Sequence, residues 1–364
     1  MLAIFEMSTL NAKRFNPLIL KNHKKPFLIY VDDIEHFQKI NNAYVRVKCT
    51  CNWTISRISK SLKKNNVSLL IIHCFRIADL RMILAAKENN IPIVYKMHGI
   101  YPDSVKRSIS FYSINYAKSI RTLFYLLNIA MHTKNISFLY KIFLSFVFGK
   151  SRKSWMLGDT FNIDRALVWS EYWKNWHMQN WFIRPLKGWI ITGNPDTQLI
   201  NSINIKQNGI CYVYQTLVED GRLQKMIMLD FLDNLEKYSK NSKIKIYVKW
   251  HDRGSERMKC ELIKRNFLVV QNLPRVNKFI GHTSSLLGLP PLIKSSLIIY
   301  KLKGIEIPIP ILKCASHIVY NFNELQNILS DDKIKIDYKI KKTKYYFGEF
   351  YSNEKELKVI NNYM

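Results

Sequence analysis

The chain is built of short apolar runs separated by polar, turn-rich or helically spaced stretches. In the first half the runs fall at residues 27–31, 68–72, 91–95, 166–169 and 189–192. In the second half they fall at 210–214, 244–248, 267–270, 278–280, 297–300 and 317–320. Runs this short, rich in Val, Ile and Tyr and bounded by turns, predict strands buried on both faces of parallel sheets. Between them the apolar spacing becomes helical. Residues 224–238 form one such stretch, with Met226, Met228, Leu229, Leu232 and Leu235 as its apolar face, and 322–329 form another. Strand and helix in alternation predict an α/β fold wound right-handed, with ligands at the carboxyl ends of the strands.

A natural boundary lies at Gly193-Asn194-Pro195, where one strand series ends in turn residues before the next begins at Ile210. Residues 1–195 and 196–332 are therefore expected to form two Rossmann-like domains facing across a cleft. Residues 333–364 make a basic tail, with six lysines in its first twelve positions. It either packs back on the first domain or stays apart.

Composition narrows the class. Of 364 residues, 48% are apolar and 13% aromatic, which excludes a disordered polycation. Even so, 56 Lys and Arg stand against 27 Asp and Glu, a net charge of +29, so an anionic partner is expected. Residues 104–158 hold nine basic side chains and no acidic one, interleaved with runs such as Phe124-Tyr125-Leu126-Leu127. That stretch reads as basic amphipathic helices packed on the first domain, or as a surface resting on anionic lipid. No stretch reaches the roughly 18–20 apolar residues of a membrane span. The start lacks a secretory layout, because Glu6 falls where the apolar region should be. The six scattered cysteines read as reduced thiols rather than a zinc set. Together these features predict a cytoplasmic protein, peripheral on the inner face of the membrane.

Dinucleotide and P-loop glycine patterns are missing, as are zinc-finger and RNA-recognition signatures, so a nucleic-acid partner rests on charge alone. The informative residues stand at predicted strand exits in the second half. Glu219-Asp220-Gly221 follows the strand at 210–214; the carboxylate pair supplies a general base or caps a helix starting near Arg222. Lys249, His251 and Arg253 follow the strand at 244–248, a setting for a departing phosphate; the alternative is a loop histidine paired with Asp252. His282, Thr283, Ser284 and Ser285 follow the strand at 278–280 and open an apolar helix, as an anion site or an ordinary cap. In the first half, His98 and the pair Asp32-Asp33 stand at strand ends and are acceptor-side candidates, or else core and helix-start residues. The tryptophans between Trp169 and Trp189 could stack on sugars, though such spacing favours packing.

The order Glu219-Asp220-Gly221, His251, Ser284-Ser285 resembles that of bacterial sialyltransferases and polysialyltransferases of the GT-B fold. Their motifs are an acidic pair before glycine, His-Pro, and Ser-Ser/Thr. Residues 210–329 as a whole resemble the donor half of capsule and lipopolysaccharide glycosyltransferases. The resemblance implies an inverting, metal-independent transferase with no cofactor, acting in surface polysaccharide synthesis. A nucleotide sugar, CMP-sialic acid or a relative first, would bind the second domain, and a glycan or lipid-linked glycan would be the acceptor. It implies that Glu219 or Asp220 is the base, and that His251, Ser284 and Ser285 hold the CMP phosphate. Asp252 departs from the family's proline. The alternatives are a UDP- or other NDP-sugar transferase of the same architecture, or an idle GT-B-like protein that binds glycan or lipid. No Asp-x-Asp metal motif occurs in the chain.

Overall fold

The computed structural model describes residues 1–7, 9, 12, 26–32, 44–100, 116–135, 140, 161–202, 208–251, 253–331 and 338–363. Asp33, Asp252 and much of the basic stretch 104–158 lie outside the described residues. The chain forms two compact units. The first comprises Met1–His98, Asp103–Pro195 and Ser352–Met364, and the second comprises Gly99–Pro102 and Asp196–Tyr351.

In chain order the first unit contains β1 (Leu2–Glu6), β2 (Phe27–Val31), β3 (Val45–Cys49), α1 (Ile55–Lys64), β4 (Leu69–Ile72), α2 (Ile77–Glu88) and β5 (Ile93–Lys96). Next come α3 (Tyr116–Thr133), β6 (Arg165–Val168), α4 (Glu171–Trp181) and β7 (Trp189–Ile191). The sheet order is β3-β2-β1-β4-β5-β6-β7, with every neighbouring pair parallel. Two of these strands were not expected. Leu2–Glu6 is fully buried inside the sheet, in register Leu2↔Phe27 on one side and Leu2↔Leu69 on the other. Its four apolar residues end in a glutamate, so the run is too short to signal a strand. Val45–Cys49 alternates apolar residues with Arg46 and Lys48, which suits the sheet edge it occupies.

The tryptophans in and just before α4 are packing residues: Trp169, Trp173, Trp176 and Trp181 are buried, the last three around His177. His177 bonds the Tyr95 hydroxyl at 2.8 Å, and burial pushes its pKa down to about 3.

The second unit contains β8 (Ile210–Val213), α5 (Lys225–Ser242), β9 (Ile246–Lys249), α6 (Glu256–Lys264), β10 (Leu268–Val270), β11 (Lys278–Gly281) and β12 (Ser296–Tyr300). These are followed by α7 (Ile309–Cys314), β13 (His317–Val319), α8 (Phe322–Ser330) and α9 (Ile340–Phe347). Its parallel sheet runs β10-β9-β8-β11-β12-β13, the 3-2-1-4-5-6 order of the doubly wound fold. In α5 the buried face is Met228, Phe231, Leu232, Leu235 and Tyr238, whereas Met226 points to solvent.

The last helix, α10 (Asn353–Asn361), belongs to the first unit. Val359 and Ile360 join that unit's core, and Glu356 forms a buried 2.5 Å ion pair with Lys96 at the end of β5. Ser352 N–H also donates to the Thr192 carbonyl at 2.7 Å.

Candidate functional site

In the 3-2-1-4-5-6 sheet the order reverses between β8 and β11, and ligands of such sheets bind outside the strand ends at that point. The exits of β8, β9 and β11 meet there. Gln215, just past β8, holds Thr283, just past β11, with both ends of its amide. Its Nε2 donates to Thr283 Oγ1 at 2.8 Å, and its Oε1 accepts from Thr283 N–H at 2.6 Å. Sequence reasoning passed over Gln215, because a lone amide in a loop carries no pattern.

The acidic pair splits to different partners. Glu219 Oε1 accepts from the Tyr214 hydroxyl at 2.9 Å, Ser255 N–H at 2.9 Å and Ser255 Oγ at 3.2 Å. Its Oε2 receives the shared Tyr214 hydroxyl at 3.1 Å. Burial and the Glu219 charge hold the Tyr214 phenol well above its usual range, so it remains a donor. Asp220 accepts from Thr216 Oγ1 at 3.0 Å and pairs with Arg253 at 3.6 Å. Neither carboxylate caps α5, whose N-cap is Gln224. Glu219 instead meets Ser255, the N-cap of α6, whose hydroxyl accepts from Met258 N–H. Gly221 sits at φ +66°, a left-handed turn that brings the pair round between β8 and α5.

Past β9, His251 Nδ1 accepts from the Arg253 backbone N–H at 3.1 Å, which puts the neutral ring's proton on Nε2. The Arg253 guanidinium also reaches Thr216 Oγ1 at 3.4 Å, tying this loop to the β8 exit. Lys249 Nζ donates to the Trp250 carbonyl at 2.7 Å. Trp250 stacks on Tyr214, with ring centroids 4.9 Å apart, and Gly254 lies so close to the indole that a Cβ there would collide with it.

His282 is placed differently from expectation. Its side chain is fully buried, its Nδ1 donates to the Tyr300 carbonyl at 2.7 Å, and its Nε2 accepts from the Tyr212 hydroxyl at 3.1 Å. Burial pushes its pKa down to about 4, so it is a neutral core histidine. Ser284 and Ser285 remain half-buried at the surface, and Ser284 Oγ caps Leu286 N–H at 3.3 Å. They open two four-residue 3₁₀ turns, Ser285–Gly288 and Pro290–Ile293, rather than an α-helix. Pro290 and Pro291 have no N–H to continue a ladder, so the turn after Ser285 ends there.

The first unit has its own reversal, between β1 and β4. Glu6 ends β1, fully buried, and Arg76 lies 3.4 Å from it and 2.7 Å from Asp79. Burial opposes ionisation of Glu6, but Arg76, His98 and His73 outweigh it and hold the carboxyl at about 2. His73 is buried and pushed down to about 3. The half-buried His98 donates from Nδ1 to the His73 carbonyl at 2.6 Å. Asp32, expected on the acceptor side, is buried: it accepts from Arg81 at 2.7 Å and from the Tyr125 hydroxyl at 2.9 Å. It anchors α3 to the sheet. Among the described residues, no group of His, Cys, Asp and Glu could hold a metal ion.

Solved structures place this architecture. The UDP-GlcNAc 2-epimerase from Methanocaldococcus jannaschii matches at TM-score 0.51 and 11% identity, covering 99% of each chain. The UDP-GlcNAc 2-epimerase from Neisseria meningitidis bound to UDP-GlcNAc matches at 0.51 and 10%, covering 99% of this chain and 98% of that one. The S. aureus MnaA–UDP co-structure matches at 0.50 and 9%, covering 100% and 96%. The chain has the GT-B fold. Its two Rossmann-like domains are the two units described above, and the strand-exit cluster belongs to the second. No protein-family model matches the chain. No curated protein is similar to it in sequence.

Proposed function

We propose that the protein is a GT-B glycosyltransferase that takes its sugar from a nucleotide donor held at the strand exits of the second unit. The observation that carries this reading is the convergence of Glu219, Asp220, His251, Arg253, Thr283 and the Ser284-Ser285 pair at the sheet's reversal. In the proposed step an acceptor hydroxyl attacks the anomeric carbon as the bond from that carbon to the phosphate oxygen breaks. Configuration inverts. Glu219 takes the hydroxyl proton on Oε2, with Oε1 anchored by Tyr214 and Ser255. The departing phosphate is met by His251 Nε2–H and by the charges of Lys249 and Arg253, with Ser284 and Ser285 as hydroxyl donors. Thr283 positions that pair through Gln215. His98 is the acceptor-side candidate that remains among the described residues; the acceptor is a surface glycan, lipid-linked where the enzyme works at a membrane.

For the donor, a UDP- or other NDP-sugar comes ahead of a CMP-sugar. Solved structures of the same fold hold UDP-GlcNAc or UDP, whereas the order of the three motifs alone supports CMP-sialic acid. Thermal-shift titration with UDP, CMP, GDP and dTDP separates these, since a ligand of the folded state raises its melting temperature. One nucleotide is expected to stabilise the protein, UDP first. His251→Ala and Ser284→Ala should weaken that response. Glu219→Gln should keep the response and stop sugar transfer, and transfer should survive EDTA. Silence toward all four nucleotides would count against the transferase, and binding without transfer would favour the idle protein.

A further inference from the structure

Helix α3 is apolar on two sides: Tyr125, Leu126, Ile129 and Ala130 are buried against the protein, and a second apolar row faces outward. Ile120, Leu123, Leu127 and Met131 are 51%, 56%, 44% and 71% exposed. Their spacing of i, i+3, i+7 and i+11 lines them along one side, over roughly 16 Å at 1.5 Å per residue. The inward face also carries polar anchors. Asn128 Oδ1 accepts from Ile55 N–H at the start of α1, at 2.8 Å. Arg121 donates to the Asp32 carbonyl at 3.3 Å and to Cys51 Sγ at 3.4 Å, and the Tyr125 hydroxyl reaches Asp32. The inward face is thus fixed by specific bonds, and α3 cannot turn to hide its apolar side without breaking them. Single exposed leucines are ordinary, but a continuous row points to a partner.

Charge says which partner. The sequence from 104 to 158, which contains α3, has nine basic residues and no acidic one, and Lys134 lies one residue beyond the helix. A second copy docking through the same patch would bring two strongly basic segments together, which is self-repelling. An anionic surface is attracted by the same charges, and its acyl region accepts the apolar row. No described helix is long and apolar enough to cross a membrane, so α3 would lie along the surface.

We propose that the outward face of α3 rests on anionic lipid, with Ile120, Leu123, Leu127 and Met131 entering the headgroup boundary. The test is flotation of the full chain with vesicles of phosphatidylcholine alone and of phosphatidylcholine mixed with phosphatidylglycerol. No nucleotide is needed, so the outcome is independent of the transferase reading. Recovery with the mixed vesicles and not the neutral ones is expected. Leu123→Gln with Leu127→Gln should reduce partitioning at least about tenfold, with the melting temperature checked to show that the variant folds. Leu123→Phe with Leu127→Phe should restore it, which a loss through misfolding would not predict. Equal recovery from both vesicle types, no recovery from either, or undiminished binding by the glutamine variant would overturn the proposal. So would light scattering that shows a dimer split by the glutamine pair while flotation stays unchanged.

Discussion

Asp32 illustrates how little a residue's type and position reveal about the way it faces. A carboxylate at a strand's end can look outward to a substrate or inward to a cation, and here Arg81 and Tyr125 draw it in. Asp32→Asn would leave the buried Arg81 guanidinium without its counter-charge, and breaking such a pair costs about 3–5 kcal/mol. The urea midpoint should fall accordingly; a variant of wild-type stability that merely lost turnover would contradict this placement. His282 follows the same logic, since the sequence put it beside three hydroxyls but could not show its ring turning back to Tyr212 and Tyr300. What was legible at this scale was chemistry confined to one loop, as in Glu219-Asp220-Gly221. Gln215–Thr283 and Glu219–Ser255 join residues 68 and 36 positions apart, and no local spacing encodes such pairs.

Elements were legible where periodicity ran long enough to declare itself. Helices α5 and α8 and eleven of the strands lie where apolar spacing placed them, within a few residues. Strands β1 and β3 were hidden by a terminal glutamate and by alternating charges, although β1 turns out to lie in the interior of its sheet. The turn into α6 shows an element boundary set by packing rather than pattern. Its glycine, Gly254, faces the Trp250 ring with no room for a methyl group. Gly254→Ala should therefore destabilise the second unit by roughly 1–3 kcal/mol, the usual cost of overpacking. It should also disturb the adjoining Ser255–Glu219 contact. A calorimetric scan together with nucleotide titration checks both, and an unchanged melting temperature would contradict the packing.

Across the whole molecule, buried histidines set the response to acid. His73, His177 and His282 are held neutral, with pKa values pushed down to about 3, 3 and 4. In the unfolded chain each returns to 6.5. Between those values the unfolded state binds more protons, so stability falls as pH drops below about 6.5. Each group contributes up to about 1.4 kcal/mol per pH unit. Glu6, lowered from 4.5 to about 2, adds a further loss in that lower range. The melting temperature should hold above neutrality and decline steadily toward pH 4; a profile flat to that point would refute the assignment. Glu356→Gln, which removes the carboxylate charge from beside the buried Lys96, should cost about 3–5 kcal/mol and lower the first unit's unfolding transition.

The Lys96–Glu356 contact spans 260 positions of the chain. As the chain leaves the ribosome, Lys96 is made long before the helix that neutralises it, and the whole second unit is synthesised in between. The second unit thus has all its strands available for pairing while the first still lacks α10. Nascent chains arrested after residue 351 should accordingly present a second unit that resists protease and a first unit that does not, reversing the usual N-to-C order of folding during synthesis.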